Sequence, residues 1–259
     1  MPIPQSTIDE IIKSEHQLVL DALAKYGEFY EHALKATAFL SRCVGSVDVG
    51  RQIFARFHSQ VKKHHTLAIF SIVRLHQVQA MMDLRQVLEA SACAAFAIRN
   101  PDPAHFVDIG ENGLLDTPQS KTVRRYRWLD DHFPDGSSAI KGLKDLINQT
   151  AAHANFVNTA NNFEHHEGDG WATANFFDAE DDHLIKTNLW LASNVAVGVA
   201  DLLYGVASTT DGVVFREGFK NDLLNLNSQN QSLRDEMIAS ERYQRAMARQ
   251  SNREAGPVE

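Results

Sequence analysis

The stretch MMDLRQVLEASACAAFAI, residues 81–98, is apolar on almost every side of a helix and is interrupted only by Asp83, Arg85, Gln86 and Glu89. A helix without a polar face has nothing to offer water and belongs in the middle of a bundle. Working outward, the chain from Arg51 to Asn100 contains neither glycine nor proline. That predicts one very long helix or two nearly continuous ones. Phe54, Phe57, Val61, Ala68, Ile72 and Leu75 supply its first apolar stripe, and RNPDP (99–103) stops it, because proline clashes with a continuing helix.

Upstream, Thr7 and Glu10 form a capping box. Ile8, Ile11, Ile12, Val19, Ala22, Leu23, Tyr26, Tyr30, Ala33 and Leu34 follow at helical spacing to about Leu40, where CVGSVDVG (43–50) breaks the pattern. Downstream, Thr117-Pro118 opens a helix through Trp128 and His132. FPDGSS (133–138) reads as a loop, with Ser137 or Ser138 capping a helix whose buried face holds Ile140, Leu143, Leu146, Ile147 and Ala151. Around Gly168-Asp169-Gly170 two extended runs predict a small β-hairpin near 160–178, the one clear strand signal. A last core helix spans about 180–208. Its run LWLASNVAVGVADLLYGVAS (189–208) is long enough to raise a membrane span, but Asn194 and Asp201 interrupt it and the expectation is a buried helix.

The fold class expected is therefore all-α: a helical bundle with very long central helices, the small hairpin, and a projecting C-terminal helix. One domain covers residues 1–215. Residues 216–259 form a polar helix and tail, with a sparse stripe of Leu226, Leu233, Met237 and Met247 that points to a protein partner or a homo-oligomer contact.

Composition narrows the function classes. The chain has 259 residues, 44% of them hydrophobic and 22% charged, with a formal charge of −8. That balance fits a globular protein and disfavours a general affinity for nucleic acid, which needs clustered cations against phosphate. RNA contact is left to a local patch of Lys121, Arg124, Arg125 and Arg127, with Lys141 and Lys144 and the aromatic Tyr126 and Trp128 nearby. The alternative is a solvated face balancing Asp130, Asp131 and Asp135. Cys43 and Cys93 read as buried free thiols, and no secretory leader or membrane span is expected, so the location expected is cytoplasmic. Walker, G-x-G-x-x-G, G-x-S-x-G and C-x-x-C motifs do not occur, and no cofactor is expected.

The polar residues on the central helix carry the chemistry. Arg85 and Glu89 are four apart, on one helical face, and their neighbours predict at least partial burial. The twelve histidines include His58, His64, His65 and His76 on the long helical stretch and His165-His166 in the hairpin. A metal site would use His64, His65 or the His165-His166 pair, but paired ligand motifs on two helices do not appear, so no metal is expected. Glu28 and His32 have ligand spacing without a partner motif. Several arginines precede a histidine loosely, among them Arg51–His58, Arg99–His105, Arg125–His132 and Arg127–His132.

Leu84, Arg85, Leu88 and Glu89 on the long helix, followed by Ala152, His153 and Asn155 in INQTAAHANF (147–156), resemble two short motifs of bacterial all-α proteins grouped near the HEPN superfamily. The resemblance covers about residues 50–210. It implies a metal-independent ribonuclease, a toxin or defence effector, with His153 as acid/base and Arg85 and Glu89 beside it. The chain departs from the nuclease pattern in one respect: no arginine stands just before His153, and the nearest upstream cation is Lys144. Two further readings stand beside this one. The first is a cytosolic binding or interaction module in which Arg85, Glu89, His153 and Asn155 form a polar cluster that fixes the fold or holds a small anion. The second is a histidine-based metal-binding protein.

Overall fold

The computed structural model describes residues 7–110, 112–150, 162–166 and 171–254. Among them are eight α-helices: α1 (Ile8–Arg42), α2 (Gln52–Val73), α3 (Gln77–Arg99), α4 (Gln119–His132), α5 (Pro134–Thr150), α6 (Asp182–Ala207), α7 (Phe219–Ala239) and α8 (Glu241–Glu254). Six short strands pair two by two: β1 (Val44–Val47) with β6 (Val213–Phe215), β2 (Asp108–Ile109) with β3 (Leu115–Asp116), and β4 (Phe163–His166) with β5 (Trp171–Ala174). The protein is an all-α bundle.

The glycine- and proline-free stretch is a hairpin of two helices. Helix α2 closes with His76 N–H on the Ser71 carbonyl (2.9 Å) and Leu75 N–H on the Ile72 carbonyl (3.2 Å), while Leu75 sits in the left-handed region at φ 61°. This is a Schellman closure with leucine where glycine is usual, so the sequence carries no glycine to mark it. Asp178 holds the turn from outside, its Oδ2 accepting from Gln77 N–H (2.6 Å) and its own N–H bonding the Leu75 carbonyl (2.9 Å). The His76 ring stacks on Phe177 and bonds Glu15 (2.8 Å), which ties α1 to the same turn.

Helices α2 and α3 then pack along their whole length. Helix α3 is buried nearly all round, as its composition requires, from Ala80 and Met81 through Leu84 and Leu88 to Phe96 and Ile98. Helix α6 lies against α1, α2 and α3. It is long and apolar enough to cross a membrane, but 61% of its apolar window is buried within the bundle, so it is the core helix the sequence predicts. Helices α4 and α5 pair with each other and rest on α3.

Three boundaries differ from expectation. Helix α1 has the capping box, Thr7 Oγ1 accepting from Glu10 N–H and Glu10 accepting from Thr7 N–H, but it kinks at Gly27 (φ 52°, ψ −127°). The buried stripe nonetheless runs on across it: Ala22, Tyr26, Tyr30 and Ala33 are buried, whereas Ile8, Ile12, Leu23 and Leu34 are exposed. FPDGSS is not a loop: Phe133 alone separates α4 from α5, which starts at Pro134, and Ser137 is buried inside it, donating to Asp130 (2.7 Å). Helix α4 starts at Gln119 with Pro118 as its N-cap residue.

The hairpin forms where expected, with Phe163 opposite Ala174 and His166 opposite Trp171, and its Gly168-Asp169-Gly170 turn lies outside the described residues. The β1–β6 and β2–β3 pairs are additional. The polar C-terminal segment divides in two. Helix α7 lies on α6 and α1 and buries Leu226, Leu233 and Met237 of the predicted stripe, while α8 keeps Met247 exposed and is tied back by an Arg242–Asp181 ion pair.

Candidate anion-binding pocket

Where α4 and α5 rest on the α2–α3 hairpin, they leave a pocket of about 370 Å³. Phe57 and Gln60 come from α2, Glu89 and Cys93 from α3, Arg125 and Tyr126 from α4, and Lys144 from α5. The spacing along α4 explains one wall. Thr122, Arg125 and Leu129 recur on one helical face, so the turn that seats Leu129 in the core also carries Arg125 inward. Arg125 is only 6% exposed. Its Nη2 donates to Thr122 Oγ1 (2.9 Å) and its guanidinium lies over the Phe106 ring (5.6 Å). Its Nη1 has no oxygen or nitrogen partner among the described residues, and the guanidinium's further contact is with the Cys93 thiol, a weak acceptor. A buried donor without an acceptor costs about 1–3 kcal/mol, so such a group calls for a ligand or an explanation.

Lys144 forms the second cationic point. Its Nζ donates to Tyr126 Oη (3.0 Å), pairs with Glu89 Oε1 (3.1 Å) and lies over the Tyr126 ring at 4.8 Å. Burial works to lower its pKa, but the Tyr126 bond and the Glu89 charge outweigh that, and the net displacement is upward. Lys144 is therefore a cation throughout the neutral range.

Arg85 and Glu89 meet as their spacing predicts, Nε to Oε1 at 3.2 Å. Arg85 also donates from Nη1 to Asn148 Oδ1 of α5 (2.8 Å). Both side chains are about 35% exposed, so the pair is partly buried, as its neighbours predict, and sits where water still reaches it rather than sealed in the core. Arg85 and Lys144 thus share one carboxylate, Glu89, and Arg125 lines the same pocket as Glu89 and Lys144. His153 and Asn155, and Ala152 with them, lie outside the described residues. No histidine lines the pocket among the described residues.

The carboxylate that α3 does bury is Asp83, 4% exposed, which takes His64 Nδ1 (2.8 Å) and Gln79 Nε2 (3.1 Å). The other histidines are dispersed. His65 is fully buried on the Ala192 carbonyl (2.9 Å) and Thr37 Oγ1 (3.1 Å). His58 stacks on Phe54 beside the Cys43 thiol, and His32 is buried while Glu28 faces solvent. The side chains of His165 and His166 lie outside the described residues. Among the described residues no three His, Cys, Asp or Glu side chains converge as metal ligands. The arginine–histidine pairs do not converge either. Arg51 bonds the Asp211 carbonyl, Arg99 bonds Thr209, and His132 stacks on Trp128 away from Arg125's pocket.

Both cysteines are free thiols. Burial pushes Cys93 up despite the neighbouring Arg125, and pushes Cys43 up to about 11, so neither is a ready nucleophile. The basic patch read from sequence separates by role. Lys121 clamps the start of β2 through Asp108 (2.6 Å) and the preceding Val107 carbonyl (3.0 Å). Lys141 pairs with Asp130, Arg124 and Arg127 face solvent, and Arg125 and Lys144 turn into the pocket. The i, i+3, i+7 spacing of Thr122, Arg125 and Leu129 was the available signal for Arg125, obscured by the cations flanking it. Comparison of the chain with protein-family models, with curated proteins and with solved structures gave no match.

Proposed function

We propose that this chain is a cytosolic binding protein whose ligand presents an anionic group to Arg125 and Lys144. The observation that carries the reading is Arg125, a nearly buried guanidinium that lines the pocket and whose Nη1 has no oxygen or nitrogen acceptor among the described residues. A carboxylate or phosphate oxygen there would supply the missing acceptor and a charge-assisted bond, the stronger class of hydrogen bond. Glu89 is already occupied by Arg85 and Lys144, so it does not set an uncompensated negative charge against the ligand. Two free thiols fit a reducing compartment.

The test is calorimetric titration of the purified full chain with inorganic phosphate and with acetate at fixed ionic strength. Wild type is expected to bind at least one of them, with Arg125→Gln and Lys144→Met weakening it at least tenfold. Binding that these variants leave unchanged would overturn the reading. An RNA-cleavage assay on the same preparation addresses the HEPN-like alternative. Cleavage abolished by His153→Ala and by Arg85→Ala would put a ribonuclease in place of a binding protein.

A further inference from the structure

Beside the cationic pocket lies a second, larger hollow of about 990 Å³ between the N-terminal half of α2, the Pro101–Val107 segment and the β2–β3 hairpin. Phe57 and Gln60 line both. Phe106 lines the large cleft and touches Phe57, ring centroids 5.3 Å apart, while the Arg125 guanidinium lies over the same Phe106 ring. The Arg125 guanidinium and the cleft are therefore separated by little more than one aromatic ring. Both volumes fall within or near the roughly 300–1,000 Å³ of small-molecule sites.

The walls of the cleft are apolar where water would favour polar residues. Val49, Ile109 and Leu115 line it and are 84%, 76% and 70% exposed. Exposed apolar side chains gathered round one concavity mark a binding surface rather than the scattered exposure normal for any protein. Its carboxylate, Asp108, is neutralised by Lys121, and the cation Arg56 stands in its lining. Nothing among the described lining residues presents an unpaired negative charge.

We infer that the two hollows form one site for an anionic amphiphile, a small molecule with a carboxylate or phosphate head at Arg125 and Lys144 and an apolar chain or ring along Phe57 and Phe106 toward Leu115. The inference rests on the proposed anion binding and names the class of ligand. Phe57 and Phe106 serve as the threshold between head and tail, and the β2–β3 hairpin, clamped through Lys121, forms the outer wall.

The experiment is a titration series of the full chain with acetate, butyrate, hexanoate and octanoate, with octanol as the uncharged control. Each methylene buried in the cleft is expected to tighten binding about three- to fourfold. Leu115→Asp and Val49→Asp, at exposed positions that leave the fold intact, are expected to weaken octanoate at least tenfold and leave acetate and phosphate unchanged. Equal affinity for acetate and octanoate would overturn the joined site while the anion reading stood. Failure of acetate, phosphate and octanoate alike would overturn both. Octanol binding as tightly as octanoate would overturn the role of the head. Co-sedimentation with anionic phospholipid vesicles that octanoate does not compete away would assign the surface to a membrane and overturn the proposal.

Discussion

Replacing Arg125 by methionine separates a residue kept for a ligand from one kept for the fold. Methionine preserves most of the volume, so no large cavity opens beneath Leu129. The change removes an orphaned buried donor that costs about 1–3 kcal/mol. It also forfeits the Thr122 bond, about 1.5–3 kcal/mol for a charged donor, and the cation–π contact with Phe106, about 1–2 kcal/mol. The losses, about 2.5–5 kcal/mol together, outweigh the gain, and R125M is expected to be about 2 kcal/mol less stable than wild type in urea denaturation. Ligand response should differ sharply. At a free ligand concentration near 100 times Kd the native state gains about 2.7 kcal/mol, which for a chain of this size raises Tm by about 5–10 °C. Wild type should show that rise in differential scanning calorimetry and R125M should not. A loss above about 4 kcal/mol in R125M, with no anion-dependent rise in wild type, would make Arg125 a structural residue and refute the argument.

Three further outcomes follow from particular groups. Burial, helped by nearby Lys62, holds His58 down at about 4, and burial also lowers His65 and His32. An imidazole whose folded pKa is depressed favours the neutral fold, so its contribution is complete above about pH 6.5 and is lost as pH falls toward 4. For His58 alone the loss is about 3 kcal/mol. Urea midpoints should drop between pH 7 and 4.5 with a shallower slope in His58→Asn, and a flat profile in wild type would contradict the burial. Asp83→Ala, which removes a buried acceptor from His64 and Gln79, should cost about 1–3 kcal/mol, whereas Arg85→Ala should cost about 1 kcal/mol or less, because Glu89 keeps Lys144. The reverse order in urea denaturation would mean that Arg85, rather than Asp83, is the more desolvated charge. Gly27→Ala forces a side chain into φ 52°, ψ −127° and should cost about 1–3 kcal/mol in the same assay; an unchanged midpoint would mean α1 straightens freely.

Much of this architecture is written locally. Residues 81–98 are apolar all round, and any fold that buries them must surround α3. The Thr7–Glu10 box, the hairpin register from Phe163 to Ala174, and the Leu226–Leu233–Met237 stripe on α7 are likewise set by neighbours a few positions apart. What tertiary structure decided involves partners distant along the chain. Leu75 adopts a glycine's conformation because Asp178 and Glu15 hold the turn it makes, and no spacing rule contains them. Strand β1 pairs with β6 because α1 and α7 deliver their ends to one place. Arg125 looked like one cation among several on a solvated face, and α3 packing against α4 turned it inward, while the similarly charged Arg124 and Arg127 stayed in water. Periodicity tells which face of a helix is buried. Whether a charge on that face meets a partner, water or an unfilled pocket depends on what the opposite wall supplies, and that wall is assembled only when the helices pack.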